Sequence, residues 1–151
     1  MSALKNYEVS SGNSEDYDFE RAYVYDGKKL LSVEGKVSQH FFDSINGEKK
    51  ASETMIHRNY EDLLKGLGAT KVFAGPVSRE AIEKVGQANA YKYGKWSVST
   101  DHDTDAYVIR QKDKEVWVQV TSLGGDGDYN LTVMERSAMP QSRQPSSKPI
   151  S

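Results

Sequence analysis

An α+β fold, with a mainly antiparallel sheet packed against one long amphipathic helix and one short helix, is what this 151-residue sequence predicts. Three observations predict it. Runs rich in β-branched and aromatic residues stand in both the first and the last third of the chain. A middle segment changes to the 3.6-residue period of a helix. Strands and helices do not alternate as a wound parallel sheet requires, and no internal repeat is present.

Residues 1–16 are rich in Ser, Asn and acidic side chains without periodicity, which predicts a flexible lead-in. They lack the apolar core and small-residue cleavage pattern of a secretory signal. One α+β domain is expected over 17–139. Residues 21–25 (RAYVY) predict a strand closed by the turn pair Asp26-Gly27. Leu31, Val33, Val37 and Phe41 share one parity along a long second strand that runs through Phe42, with Gly35 a bend or bulge. In SETMIHRNYEDLLKGLG, the residues Ile56, Tyr60, Leu63, Leu64 and Leu67 form one helical stripe. Ser52 is its expected N-cap, and Gly66 and Gly68 offer the stop. On that stripe, Leu63→Ala should cost about 2 to 5 kcal/mol.

Residues 69–74 predict a short strand ended by Gly75-Pro76, after which Ser78 caps a short helix through Val85 that buries Ala81, Ile82 and Val85. Residues 89–99 (NAYKYGKWSVS) favour a strand, with a loop as the alternative. Residues 105–111 give a firmer strand. EVWVQVTSL and YNLTVMER, joined by the Gly124–Asp128 loop, predict a closing hairpin whose first strand alternates Val116, Val118 and Val120 with Trp117, Gln119 and Thr121. Residues 140–151 hold three of the four prolines and several Ser, the composition of a linker or disordered tail.

Hydrophobic residues are only 36% of the chain, yet nine Tyr and two Trp suffice to anchor a core. With 20 Lys+Arg against 22 Asp+Glu, the net charge of −2 provides no field for nucleic acid or an anionic membrane surface. The absence of Cys excludes disulfides, thiol nucleophiles and Cys-ligated zinc, and leaves the compartment open. No apolar run is long enough for a membrane-spanning helix.

Asp101, Asp103 and Asp105 in DHDTD resemble the start of a calcium loop, whose alternating carboxylates supply hard oxygen ligands. Ala106 at its sixth position and Lys112 at its twelfth exclude an EF-hand, leaving another type of metal site or a solvated turn. The glycine loop approaches a calcium repeat, but Tyr129 holds the required Asp position, so a hairpin turn is expected. His40, His57 and His102 fall on separate expected elements, and Glu53 and Glu61 flank His57 at helical spacing as a surface pairing would. A Ser-His-Asp triad assembles only in the fold, so the sequence leaves a hydrolase open. It contains no nucleophile elbow, P-loop or dinucleotide fingerprint, and no motif that calls for a cofactor.

Tyr91, Tyr93, Trp96 and Trp117, with Tyr107, form either a stacking surface for a glycan or small ligand, or part of the core. Lys92 and Lys95 interleave with these rings as in a single-strand platform, but nearby Asp residues make the groove too thinly charged for nucleic acid.

Taken in order, DYDF at 16–19, DGKKLLSVEGKVSQHFF at 26–42, HRNYEDLLKGLGATKVF at 57–73, VWVQV and LTVMERSAM resemble the uncharacterised N-terminal domain of OmpA-family (outer-membrane-protein-A-like) envelope proteins. The resemblance implies export and a periplasmic or outer-membrane-associated location, with an envelope protein or cell-wall component as partner. It also implies a following peptidoglycan-binding domain, whose ligand residues this chain does not contain and whose activity does not transfer to it. It carries no catalytic residues. The expectation is a non-catalytic interaction or spacer module, with a glycan or small-ligand binder and a hydrolase as alternatives; the oligomeric state is left open.

Overall fold

The computed structural model describes residues 3–123 and 127–137. Seven strands form one antiparallel sheet: β1 (Tyr7–Val9), β2 (Glu15–Tyr25), β3 (Leu30–Ser44), β4 (Thr70–Phe73), β5 (Thr104–Arg110), β6 (Lys114–Ser122) and β7 (Tyr129–Ser137). Three helices accompany them: α1 (Glu53–Gly66), α2 (Arg79–Val85) and α3 (Gln87–Gly94). The strand order is β1-β3-β7-β6-β5-β4, and β2 also pairs with β3. β1 and β2 lie end to end along the outer edge of β3, opposite Phe42–Ser44 and Leu30–Gln39 respectively. The expected α+β architecture is therefore the observed one.

The β2–β3 hairpin turns where Asp26 Oδ1 accepts from the backbone N–H groups of Lys28 and Lys29, both at 2.8 Å, with Gly27 at φ 99°. The register slips in β2 between Tyr17 and Glu20. Gly35, opposite Glu20, is needed for another reason than a bulge in its own strand. A Cβ there would sit 2.0 Å from the Glu135 carbonyl oxygen, so only glycine lets β3 pass so close to β7.

α1 starts at Ser52, whose hydroxyl accepts from Met55 N–H, and stops as Gly68 turns left-handed. It buries Ile56, Tyr60 and Leu64 against Tyr107, Val118, Tyr129 and Leu131 of the sheet. The expected stripe was too wide: Leu63 is 46% and Leu67 54% exposed. The helix meets the sheet along the i, i+4 row 56-60-64 with His57 buried on one flank; Leu63 lies on the opposite flank, and Leu67 is the C-cap residue past the last turn.

On the other face the sheet curls. Ala22 and Val24 of β2 pack with Ala106 and Val108 of β5, four steps away in strand order, together with Val33, Val37, Trp117 and Met134. α2, capped by Ser78 as expected, closes one end by packing Ala81 with Tyr23, Tyr25, Leu30 and Val77; Ile82 and Val85 pack against them half-buried.

Two expectations are corrected. Residues 87–94 are helix α3, followed by a single 3₁₀ turn at Lys95–Ser97, where strand was favoured. Gly86, at φ 91°, ends α2 and starts α3, and burial of Ala90 and Gly94 on one helical face outweighs the strand preference of Tyr91, Tyr93 and Trp96. The lead-in is not featureless, because Tyr7 of β1 sits in the core and its hydroxyl donates to the Gly127 carbonyl at 2.6 Å. The linker expected over 140–151 lies outside the described residues.

Candidate functional cleft

Two buried rows of polar side chains cross the curled face of the sheet. The register aligns Gln39, Thr132 and Gln119 in one, and Asn130, Thr121 and Thr104 in the next. An antiparallel strand with one wet face would leave such residues in water, yet all six are buried. Three of them, Gln39, Gln119 and Thr121, bind the segment that covers the rows. Gln119 donates to the Ser97 carbonyl at 2.9 Å and the Tyr23 carbonyl at 3.3 Å, and its Oε1 accepts from Tyr25 N–H at 2.9 Å. Thr121 donates to the same Ser97 carbonyl at 2.9 Å, and Gln39 to the Tyr93 carbonyl at 3.2 Å. The backbone of α3 and its 3₁₀ turn is thereby fixed over the sheet by bonds that have no competition from water.

That fixed backbone presents a cleft. Between α3 with its 3₁₀ turn and the turn at Ser11–Asn13 lies a cavity of about 550 Å³, walled by Trp96, Tyr91, Lys95, Glu15 and the polar residues Asn13 and Ser99. Trp96 is 44% and Tyr91 76% exposed. Phe41 supports Trp96 edge-on, with ring centroids 5.4 Å apart at 77°. Lys95 reaches across the opening to Glu15 at 3.0 Å. A hydrogen bond from the Tyr17 hydroxyl, and then Lys95, hold the Glu15 carboxyl below the usual range, while that carboxylate raises the Tyr17 phenol to about 12.

A second hollow of about 330 Å³ shares Tyr91 and Lys95 with the first and runs on past Tyr93 to Arg21, so the two form one cleft along α3. Arg21 and Lys92 sit over the Tyr93 ring at 4.9 and 5.2 Å from its centroid.

The expected aromatic cluster is thus divided. Tyr91, Tyr93 and Trp96 share the cleft, whereas Trp117, 5% exposed, packs with Met134 and Val108 among the aliphatic residues of the curled face, and Tyr107 lies in the core under α1. Glu15 and Arg21 are cleft residues the sequence did not single out. Each lies more than fifty positions from α3, and no local pattern links them.

Asp101, Asp103 and Asp105 do not converge. Asp105 turns inward from β5 onto His57, with Nδ1 to Oδ2 at 3.0 Å, and lies 3.8 Å from Lys71 Nζ. Among the described residues no group of three His, Asp or Glu side chains is placed to hold a metal ion. His57 is buried against the sheet rather than paired on the surface, and its Nε2 lies 3.3 Å from Ser122 Oγ. Asp105, His57 and Ser122 therefore follow one another in the order of a nucleophilic triad, but His57 Nδ1 makes no hydrogen bond to the carboxylate despite the short distance. The backbone around Ser122 differs from such a site: it lies within regular β6, its N–H donates to the Asp103 carbonyl and the next N–H, of Leu123, to Asp128. Neither amide is free to receive an oxyanion.

Fold and cleft together define an α+β protein whose curled antiparallel sheet carries a helix on one face and an aromatic-walled cleft on the other. No protein-family model matches the chain, and no curated protein matches it. Among the described residues no helix is long and apolar enough to cross a membrane.

Proposed function

We propose that this chain is a non-catalytic binding module whose cleft along α3 receives a glycan. The observation that supports it is the exposure of Trp96 and Tyr91 in a cleft whose walls also carry hydroxyl, amide and charged groups beside Val98 and Leu123. Sugar rings present apolar faces to aromatic rings and hydroxyls to polar partners, and both are available within one cavity. The buried polar rows support the reading further, since a site held on a rigid backbone loses little entropy when it binds. The resemblance to OmpA-family envelope domains adds the setting of a bacterial envelope, where a cell-wall component is a suitable partner.

The test uses the difference between the two tryptophans. In a Trp117→Phe variant, Trp96 is the sole indole and should respond to neutral oligosaccharides such as cello- and chito-oligosaccharides by a saturable emission change. Binding followed by calorimetry should be lost on Trp96→Phe. A panel of saccharides that leaves both signals flat removes the proposal.

A second reading, hydrolysis at Ser122, is favoured by the Asp105–His57–Ser122 connectivity alone. Turnover of p-nitrophenyl acetate that disappears in Ser122→Ala would favour it over the first.

A further inference from the structure

Resting on the glycan reading, we infer that the cleft selects saccharides that carry carboxylates, with Arg21 and Lys92 as the residues that read the charge. The Arg21 half of the cleft is cationic. Arg21, Lys92 and Lys95 converge there on a hollow whose floor includes Val37 and Gln39. Lys95 is already committed to Glu15 at 3.0 Å. Lys92 has no carboxylate partner among the described residues and rests only on the Tyr93 ring. Arg21 meets Glu34 at a loose 3.6 Å, and its Nε is buried without a hydrogen-bond partner. The nearest carboxylate in sequence, Glu20, is turned to the backbone, where it accepts from Arg21 N–H at 2.8 Å. Lys92 therefore lines the hollow with unused donors, and Arg21 lines it with a guanidinium whose one carboxylate contact is the 3.6 Å pair to Glu34.

The geometry also limits what kind of anion fits. A guanidinium fork suits a planar carboxylate, and Lys92 lines the same hollow as Arg21. Glu15 and Glu20 line the same cleft, so a densely charged polyphosphate chain would meet two like charges for every three opposite ones. A polymer with one carboxylate per sugar spaces its charges widely enough to place one at Arg21 and Lys92. Its neighbouring rings then lie along Tyr91, which lines both hollows, and Trp96, which lines the adjacent one. An acidic peptide would supply the charge but no ring faces for Trp96 to stack on.

The test compares tetragalacturonate, its fully methyl-esterified form and a tetraglutamate peptide by calorimetry on the whole chain. Tetragalacturonate should bind at least tenfold more tightly than the ester, and the advantage should shrink as NaCl rises from 50 to 500 mM. Lys92→Ala, at an exposed position, should lose about tenfold for the acid and little for the ester, with an unchanged circular dichroism spectrum; Arg21→Gln should act in the same direction. Equal binding of acid and ester overturns the charge selection and leaves the glycan reading standing. Binding of neutral oligosaccharides without tetragalacturonate does the same. Tetraglutamate binding as tightly as the acidic saccharide overturns the saccharide class, and silence from every saccharide overturns both proposals.

Discussion

His57 Nδ1 lies 3.0 Å from Asp105 Oδ2, so α1 is tied through the core to β5 by two buried polar side chains. The far side of the imidazole meets Ser122 of β6 at 3.3 Å. One residue of the helix thus links two adjacent strands. Removing it leaves Asp105 buried with Lys71, 3.8 Å away, as its remaining cation. His57→Ala should therefore lower the unfolding free energy by about 3 kcal/mol, the lower end for a broken buried pair, whereas Ser122→Ala should cost about 1 kcal/mol. Urea denaturation measures both; equal and small losses would mean that the contact contributes nothing to the docking of α1.

The row 56-60-64 makes a contrast between neighbouring leucines. Leu64 is fully buried and Leu63 nearly half exposed. Leu64→Ala should cost about 2 to 5 kcal/mol and Leu63→Ala less than about 1 kcal/mol. Similar midpoints for the two variants would contradict the orientation of the helix.

How much of this was legible depended on whether the signal was local. α1 was, because Ile56, Tyr60 and Leu64 repeat with the helical period behind a capping Ser52. The burial of His57 was misread as a surface pairing with Glu53 and Glu61, although it lies at i−3 from Tyr60 and i−7 from Leu64, on the flank of the same stripe. α3 was not legible, since Tyr91, Tyr93 and Trp96 carry strand preference and the burial of Ala90 that decides the matter is a tertiary effect. The burial of Gln119 and Thr121 was not legible, because alternation reveals two faces without saying what covers the polar one. The cleft itself joins Glu15 to Lys95 across eighty positions, a distance no spacing rule bridges.

At Gly35 the backbone approach makes a steric prediction. An added Cβ would meet the Glu135 carbonyl oxygen at 2.0 Å, and neither strand is free to retreat because Lys36 and Val37 pair with Glu135 and Met134. Gly35→Ala should destabilise by about 1 to 3 kcal/mol. The loss should be accompanied by faster amide exchange at the Lys36–Glu135 end of the β3–β7 ladder. Exchange unchanged there would place the strain elsewhere.

Tyr17 gives a pH prediction with a definite sign. The Glu15 carboxylate accepts from its hydroxyl, so the folded chain holds that proton to about pH 12, against about 10 for an ordinary tyrosine. Between those values the native state binds more protons than the unfolded one, so the contribution of this pair is complete below pH 10 and is lost as the pH rises through 12. NMR titration of the Tyr17 ring should show the raised midpoint, and Glu15→Gln should bring it back towards 10. A midpoint near 10 in the parent chain would show that the pair does not form in solution.

Gln119 joins stability to the proposed function more directly than any cleft residue. Its amide serves three backbone groups, Tyr25 N–H and the carbonyls of Tyr23 and Ser97, all out of reach of water. Gln119→Leu puts a shorter, apolar side chain there and leaves those groups to find other partners, and each buried group left unpaired costs about 1 to 3 kcal/mol. The expected loss is at least about 2 kcal/mol. The more telling result concerns Trp96, one residue before Ser97 in the 3₁₀ turn that this amide and Thr121 hold. Once the turn is released, acrylamide should quench Trp96 more strongly in a Trp117→Phe background. Ligand affinity at the cleft should fall even though Gln119 itself lies beneath the backbone that forms it. A variant destabilised to the expected degree with unchanged quenching would show that Phe41 alone positions the indole, through the edge-on contact at 5.4 Å.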